Sequence, residues 1–207
     1  MGLSTYGQLR AAIADWLERS DLTERTADFV ALAESRLNRT LRARCLESGQ
    51  TLTATPGSRS VSLPAGFREA LGLWLETPAG RLDLAYRDPG EMEVNKAPGQ
   101  PLAWGIDGGQ LVFDRPCDRA YGLTLRMLGR LALSDSQPVN GVLTDYPDLY
   151  LFGALVEAAP YLRDADLLGL FAARFESALT EARIKEGRHR TLSVLKPDPV
   201  LTAGGRP

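Results

Sequence analysis

The sequence predicts an α+β protein: a helical body formed by N- and C-terminal helices, a small antiparallel β-rich insert between them, and an extended C-terminal tail. Three observations predict it. The stretch Pro147 to Leu162 reads as a helix that is apolar almost all round. Apolar residues recur at helical spacing near both ends of the chain. Between them the texture changes to Thr-, Ser- and Val-rich runs separated by Pro-Gly and Asp-Gly signals. The boundaries drawn on this basis are 1–47 and 144–190 for the helical body, 48–143 for the insert and 191–207 for the tail.

At the N-terminus, Thr5-Tyr-Gly-Gln8 has capping-box spacing. Behind it Leu9, Ala12, Ile13, Trp16 and Leu17 mark a helix that stops near Ser20. A second helix is predicted from about Thr26 to Arg44. Its apolar line is Phe29, Leu32, Ala33, Leu37 and Leu41, and its other side carries Arg36, Arg39, Arg42 and Arg44. In the insert, 50–55 and 59–63 flank Pro56-Gly57 and read as a hairpin. Residues 70–77 are a strand, turned by Pro78-Ala-Gly80 into 82–86. Residues 88–94 read as one short helix with Pro89 near its start. Residues 97–101 are a loop. Trp104-Gly-Ile, Asp107-Gly-Gly and Leu111-Val-Phe form a second hairpin, because Asp-Gly supplies the positive φ angles of a tight turn. Tyr121 to Leu128 is a further strand, and 134–141 a loop.

Pro147 then fits the first position of the central helix, and Asp148 sets a negative charge against its positive end. Between Leu149 and Ala159 the only charge is Glu157, so this helix must be buried on several sides. It is too short to cross a bilayer, which takes roughly 20 apolar residues. Asp164 and Asp166 can cap the last helix, whose face is Leu167, Phe171, Phe175, Leu179 and Ala182. That helix is expected to end in the basic run Lys185 to Arg190. Beyond it, the prolines and glycines point to extended chain.

Composition narrows the chemistry. Net charge is −2, with 24% charged and 44% hydrophobic residues, so no global basic field marks a nucleic-acid binder. The first residues lack the basic region and apolar core of a signal peptide. Cys45 and Cys117 read as reduced, inert thiols of a protein made in a cytoplasm. A catalytic triad would have to use the single histidine, His189, at a basic helix end. The carboxylate pairs Asp145 with Asp148, Glu91 with Glu93, and Asp164 with Asp166 are explained by capping and turns. No phosphate-cradling glycine motif occurs, and Asn38-Arg-Thr40 lies inside a helix, unsuited to glycosylation. Arg36, Arg39 and Arg42 stand three apart as a winding stripe. The stripe is either a solvated face or a charged contact with another subunit or with DNA, partly neutralised by Glu34 and Glu47.

Three blocks carry a family resemblance: Ala33-Glu-Ser-Arg-Leu-Asn-Arg-Thr-Leu-Arg42, Leu63-Pro-Ala-Gly-Phe-Arg-Glu-Ala70, and Thr144 to Leu162 with its Pro-Asp-Leu-Tyr-Leu-Phe opening. Together with Thr5-Tyr-Gly-Gln-Leu, Ile13-Ala-Asp-Trp16 and the order of elements, they resemble the head–tail adaptor, or connector, proteins of tailed bacteriophages, short-tailed type, over about residues 4–190. Asn140-Gly141 departs from the pattern, since relatives often carry tryptophan after the asparagine. The packing of that loop is left open.

The resemblance implies a structural virion protein, not an enzyme, that needs no cofactor or metal. It implies a dodecameric ring in the virion neck that docks under the portal, extends the DNA channel and anchors the tail. The implied partners are other copies of the chain, the portal protein, a tail or nozzle protein and passing double-stranded DNA, with no membrane. A heterologous contact that closes on itself makes such a ring. Leu192, Val194, Leu195, Val200 and Leu201 are candidates for docking the tail segment on the portal. Two further readings stay open: another neck or tail-completion structural protein, and a sequence-independent DNA-binding module. A phage peptidoglycan hydrolase is the enzymatic alternative.

Overall fold

The computed structural model describes residues 2–163 and 165–194, with Ser20 and residues 188–194 described by backbone alone. The class is α+β, and the chain divides into two compact units. One comprises the chain up to Cys45 and from Leu131 onward. The other is Leu46–Arg130.

The helical unit contains α1 (Tyr6–Leu17), α2 (Thr26–Thr40), the single turn α3 (Gly141–Asp145), α4 (Pro147–Leu162) and α5 (Ala165–Val194). Thr5 caps α1 by accepting from the Gln8 amide at 3.3 Å, and the Gln8 side chain reaches back to the Ser4 amide at 2.9 Å. Helix α4 is the centre. Leu149, Tyr150, Ala154, Leu155, Ala158 and Ala159 are wholly buried. A helix with so little polar surface needs apolar partners on several sides, and α1, α2 and α5 all pack on it. The Trp16 ring of α1 meets Phe152 and Phe171 edge-on at 5.6 and 6.3 Å, yet stays half exposed.

Gly141 is required by close packing, which accounts for the unusual Asn140-Gly141 pair. A Cβ at residue 141 would lie 2.7 Å from the Cys45 Cβ and 2.8 Å from the Cys45 carbonyl oxygen. Asn140 caps α3 by accepting from the Leu143 amide at 2.8 Å, and it donates to the Tyr150 hydroxyl at 2.6 Å.

The second unit holds two four-stranded sheets. The first has the order β1 (Glu47–Ala54), β8 (Tyr121–Gly129), β3 (Phe67–Thr77), β4 (Gly80–Asp83), all antiparallel. The second has the order β2 (Ser60–Ser62), β7 (Gln110–Phe113), β6 (Ala103–Asp107), β5 (Ala85–Tyr86), with β5 and β6 parallel. Alternate residues of β8, namely Tyr121, Leu123, Leu125 and Met127, form a core with Leu73, Leu75, Trp104, Leu111 and Phe113. The β6–β7 hairpin turns on Gly108 and Gly109, both at positive φ (54° and 78°), as the Asp-Gly signal requires.

Several sequence expectations fail here. The segments around Pro56-Gly57 do not pair with each other. The turn at 55–58 carries the chain from one sheet to the other, so β1 pairs with β8 and β2 with β7. Residues 88–94 form no helix: 88–91 make a turn, closed by Asp88 accepting from the Gly90 amide at 2.8 Å, because the Asx side chain competes with helix hydrogen bonding, and 92–94 are irregular. Residues 131–140 belong with the helices. Helix α2 ends at Thr40, since Leu41 is extended (φ −101°, ψ 129°) to bury its side chain. Helix α5 runs on to Val194, past Arg190, so 191–194 are helical and not extended. Asp164 and residues 195–207 lie outside the described residues.

Leu155 is fully buried within α4. Leu155→Ala should therefore lower stability by about 2–5 kcal/mol. Chemical denaturation of the purified variant measures this, and a midpoint equal to that of the parent would place Leu155 outside the core.

Candidate interaction surface

The arginine series does not remain a single helical stripe. Arg36 turns inward on α2. Its Nε donates to Glu157 Oε1 on α4 at 2.9 Å, and its guanidinium lies over the Phe175 ring of α5 at 5.7 Å. The ion pair is partly shielded, with side-chain exposures of 37% and 20%. Arg36 therefore joins three helices of one copy, and its charge is met within the chain. Arg39 is exposed and donates to Ser35 Oγ at 2.8 Å. Arg42 is exposed too, but it lies beyond the helix end.

Spatial neighbours replace the lost stripe. Arg183 of α5 donates to the Thr40 carbonyl at 3.3 Å, and it lines a small cleft of about 240 Å³ with Thr40, Leu41, Arg42 and Glu186. A cation at that carbonyl also suits the negative end of α2. Next to it, Lys185 stands 4.8 Å from the Tyr146 ring centroid. The exposed basic surface is thus Arg39, Arg42 and Arg183, with Arg44 and Lys185 beside it. Arg183 is 143 residues from Thr40 in sequence, so spacing alone carried no signal of it.

Glu34 and Glu47 do not neutralise these arginines. Glu47 pairs with Arg126 inside the β unit. Glu34 is buried, and its Oε1 accepts from the Leu133 amide at 2.7 Å and the Tyr150 hydroxyl at 2.9 Å. Glu186 has the matching role elsewhere in the helical unit. It is buried and accepts from the Arg44 amide at 2.8 Å and the Tyr146 hydroxyl at 2.7 Å. Asn38 holds both the amide (2.8 Å) and the carbonyl (3.1 Å) of Leu131. The chain is therefore fixed by buried polar groups just before it leaves the helical unit and just after it returns. Sequence reading missed these carboxylates as anchors, because a glutamate on a helix carries no mark of its distant partner.

Burial pushes the Glu34 carboxyl above the usual range, opposed by its two hydrogen bonds. Burial, with Asp145 and Glu186 nearby, pushes the Cys45 thiol up to about 11. It also raises the Cys117 thiol, with Asp118 and Asp114 adding to the effect. Neither cysteine forms a disulfide, and thiols held protonated in this way are poor nucleophiles. Among the described residues no group of three or more His, Cys, Asp or Glu side chains converges as a metal site. No helix among them is long and apolar enough to cross a membrane. His189 has no described side chain. Of the portal-docking candidates, Leu192 and Val194 lie on the backbone of α5, while Leu195, Val200 and Leu201 lie outside the described residues.

Residues 4–197 match the family model described as SU10 adaptor protein. No curated protein matches the chain.

The raised Glu34 carboxyl has a calculable consequence. Burial favours its neutral form, so its contribution to stability is full below the unfolded value, about 4.3, and is lost as pH rises through the higher folded value. Glu34→Gln keeps an acceptor oxygen for Leu133 and Tyr150 without the charge. It should melt no lower than the parent at pH 8, and its advantage should shrink toward pH 4. Glu34→Ala leaves two buried donors without an acceptor and should cost about 2–5 kcal/mol. Thermal melts of all three proteins across that range measure both effects. An advantage of Gln that grows as pH falls would reverse the assignment.

Proposed function

This chain belongs to the SU10 adaptor protein family, and from that premise we propose that it forms a head–tail adaptor ring of a short-tailed phage. That family consists of phage structural adaptors. In the proposed arrangement a closed ring of copies, twelve by the family resemblance, sits under the portal, extends the DNA channel and receives the tail. The match across residues 4–197 carries the reading. The architecture supports it. A helical unit and a β unit, each with its own core, give one subunit separate surfaces for its lateral neighbours and for the components above and below.

The basic surface is the proposed contact, as Arg36, Arg39 and Arg42 were on sequence grounds, with the work now divided. Arg39 and Arg42, joined by Arg183, face outward toward a neighbouring subunit or the passing DNA. Arg36 holds the subunit itself together through Glu157. The net charge of −2 favours a subunit contact over a general affinity for DNA. A sequence-independent DNA-binding module is the second reading, and the local basic cluster is the observation in its favour.

The decisive experiment is a reconstruction of the virion neck, which would place this chain between portal and tail or elsewhere. A biochemical test separates the arginines. Arg39→Gln with Arg42→Gln should leave the monomer folded and impair ring assembly on portals. Arg36→Gln should instead lower monomer stability by about 1–3 kcal/mol, because it leaves the Glu157 carboxylate unpaired. If the double variant assembles normally but packaged DNA is retained less well, in a salt-dependent way, the surface faces the channel. Normal assembly and normal retention together would reduce the pair to a solvated face.

A further inference from the structure

Helix α5 has two apolar sides. Phe171, Phe175, Ala178, Leu179 and Ala182 are buried in the helical unit. On the opposite side Leu170 and Ile184 are 53% and 52% exposed. Ala173, Ser177, Thr180 and Gly187 share that outward face and are exposed too. The six residues recur at alternating steps of three and four, the spacing of a coiled-coil seam. None of them is charged, whereas Arg174, Glu176, Glu181 and Arg183 stand immediately beside them. The side of a surface helix that points away from the core is ordinarily its charged side. An uncharged outward face with two half-exposed aliphatic side chains and a charged rim marks a contact.

The order of residues specifies the partner. Let the same face of a second copy lie antiparallel on it, about a two-fold axis midway between Ser177 and Thr180. Leu170 then meets Gly187, Ile184 meets Ala173, and Ser177 meets Thr180. The two large side chains each meet a small one, so the helices can approach closely without a gap. The rim agrees with this register. Arg174 and Glu181 lie on one flank, seven residues apart, and Glu176 and Arg183 lie on the other. Across the axis Arg174 faces Glu181 of the other copy, and Glu176 faces Arg183. Each pair occurs twice by symmetry, and all are of opposite sign. A parallel, in-register pair would instead set Glu176 against Glu181. The charges are available for this use. Among the described residues, Arg174 and Glu176 have no ion-pair partner within the chain. Glu181 accepts from the Ser177 hydroxyl at 3.4 Å, and Arg183 donates to the Thr40 carbonyl through one nitrogen of its guanidinium.

We propose that the free chain pairs with a second copy of itself through the outward faces of α5, antiparallel, in this register. Such a contact is isologous and closes on itself, so it cannot propagate round a ring. It belongs to the chain before assembly. It also engages Arg183, so the pairing competes with any ring contact made through that residue.

Sedimentation of the purified full chain, without portal or DNA, tests this. The parent should show a concentration-dependent dimer. Arg174→Glu and Glu181→Arg each turn the Arg174–Glu181 pairs into like charges, and each alone should raise the dissociation constant by about tenfold or more. Both positions are exposed, and circular dichroism should show both variants as helical as the parent. An equimolar mixture of the two variants recreates opposite charges and should dimerise as the parent does. Cross-linking checks the register. A mixture of Ala173→Cys and Ile184→Cys chains should form an intermolecular disulfide beyond the parent's background, and Ala173→Cys alone should not. In the antiparallel pair the two copies of residue 173 lie about 16 Å apart along the axis, beyond disulfide reach. A parent that stays monomeric overturns the proposal. So does an assembly that both reversals leave unchanged, a mixture that fails to recover, or a disulfide formed equally well by Ala173→Cys alone. The measurement needs no ring, so any of these failures leaves the adaptor reading untouched.

Discussion

The constraint on which the helical unit depends is the burial of α4. Leu149, Tyr150, Ala154, Leu155, Ala158 and Ala159 have no exposed surface, and a buried leucine among them contributes roughly 1.5–3 kcal/mol only if something covers it. The cover comes from both ends of the sequence, α1 and α2 before the insert and α5 after it. Removing either set would leave α4 with an apolar face in water. The insert can therefore be long and elaborate without weakening this core, as long as the two flanking segments meet around the same helix.

Polar groups then determine which of the possible helix packings is adopted. Apolar contact alone tolerates sliding, whereas a buried carboxylate does not, because an unsatisfied partner costs about 1–3 kcal/mol. Glu34 and Glu186 each accept from a backbone amide and from a tyrosine hydroxyl, and the tyrosines, 150 and 146, stand one turn apart at the start of α4. Asn38 adds two bonds to Leu131. Arg36 to Glu157 completes the set from the other end of α4. These bonds fix the rotation of α2 and α5 about α4 and the positions at which the chain departs and returns.

Much of this was legible in the sequence, and the exceptions share a physical cause. The Pro147 start, the apolar run to Leu162, the Thr5 cap and the Asp107-Gly-Gly turn are local signals, decided by φ preferences and capping within a few residues, and they read true. The order of strands is decided by pairing across long distances, so Pro56-Gly57 resembled a hairpin turn while actually carrying the chain between sheets. The arginine series failed for the same reason. Spacing of three predicts a stripe only while the helix lasts, and the burial of Leu41 ends it before Arg42. Arg183 joined the surface through tertiary packing alone.

The pair Arg36 and Glu157 is separated by 121 residues, which sets an order of events during synthesis. At roughly 5–20 residues per second, a ribosome takes about 6–24 s to travel from one to the other. For most of that interval α1 and α2 exist without the helix they pack on. The β unit, by contrast, is complete once β8 has emerged, and domains of its kind fold in milliseconds to seconds. The middle of the chain is thus in a position to fold before its beginning. For that period the nascent α1–α2 segment presents Leu9, Ile13, Phe29 and Leu37 to solvent, a transient surface suited to a holding chaperone and vulnerable to any pause before Pro147 is translated.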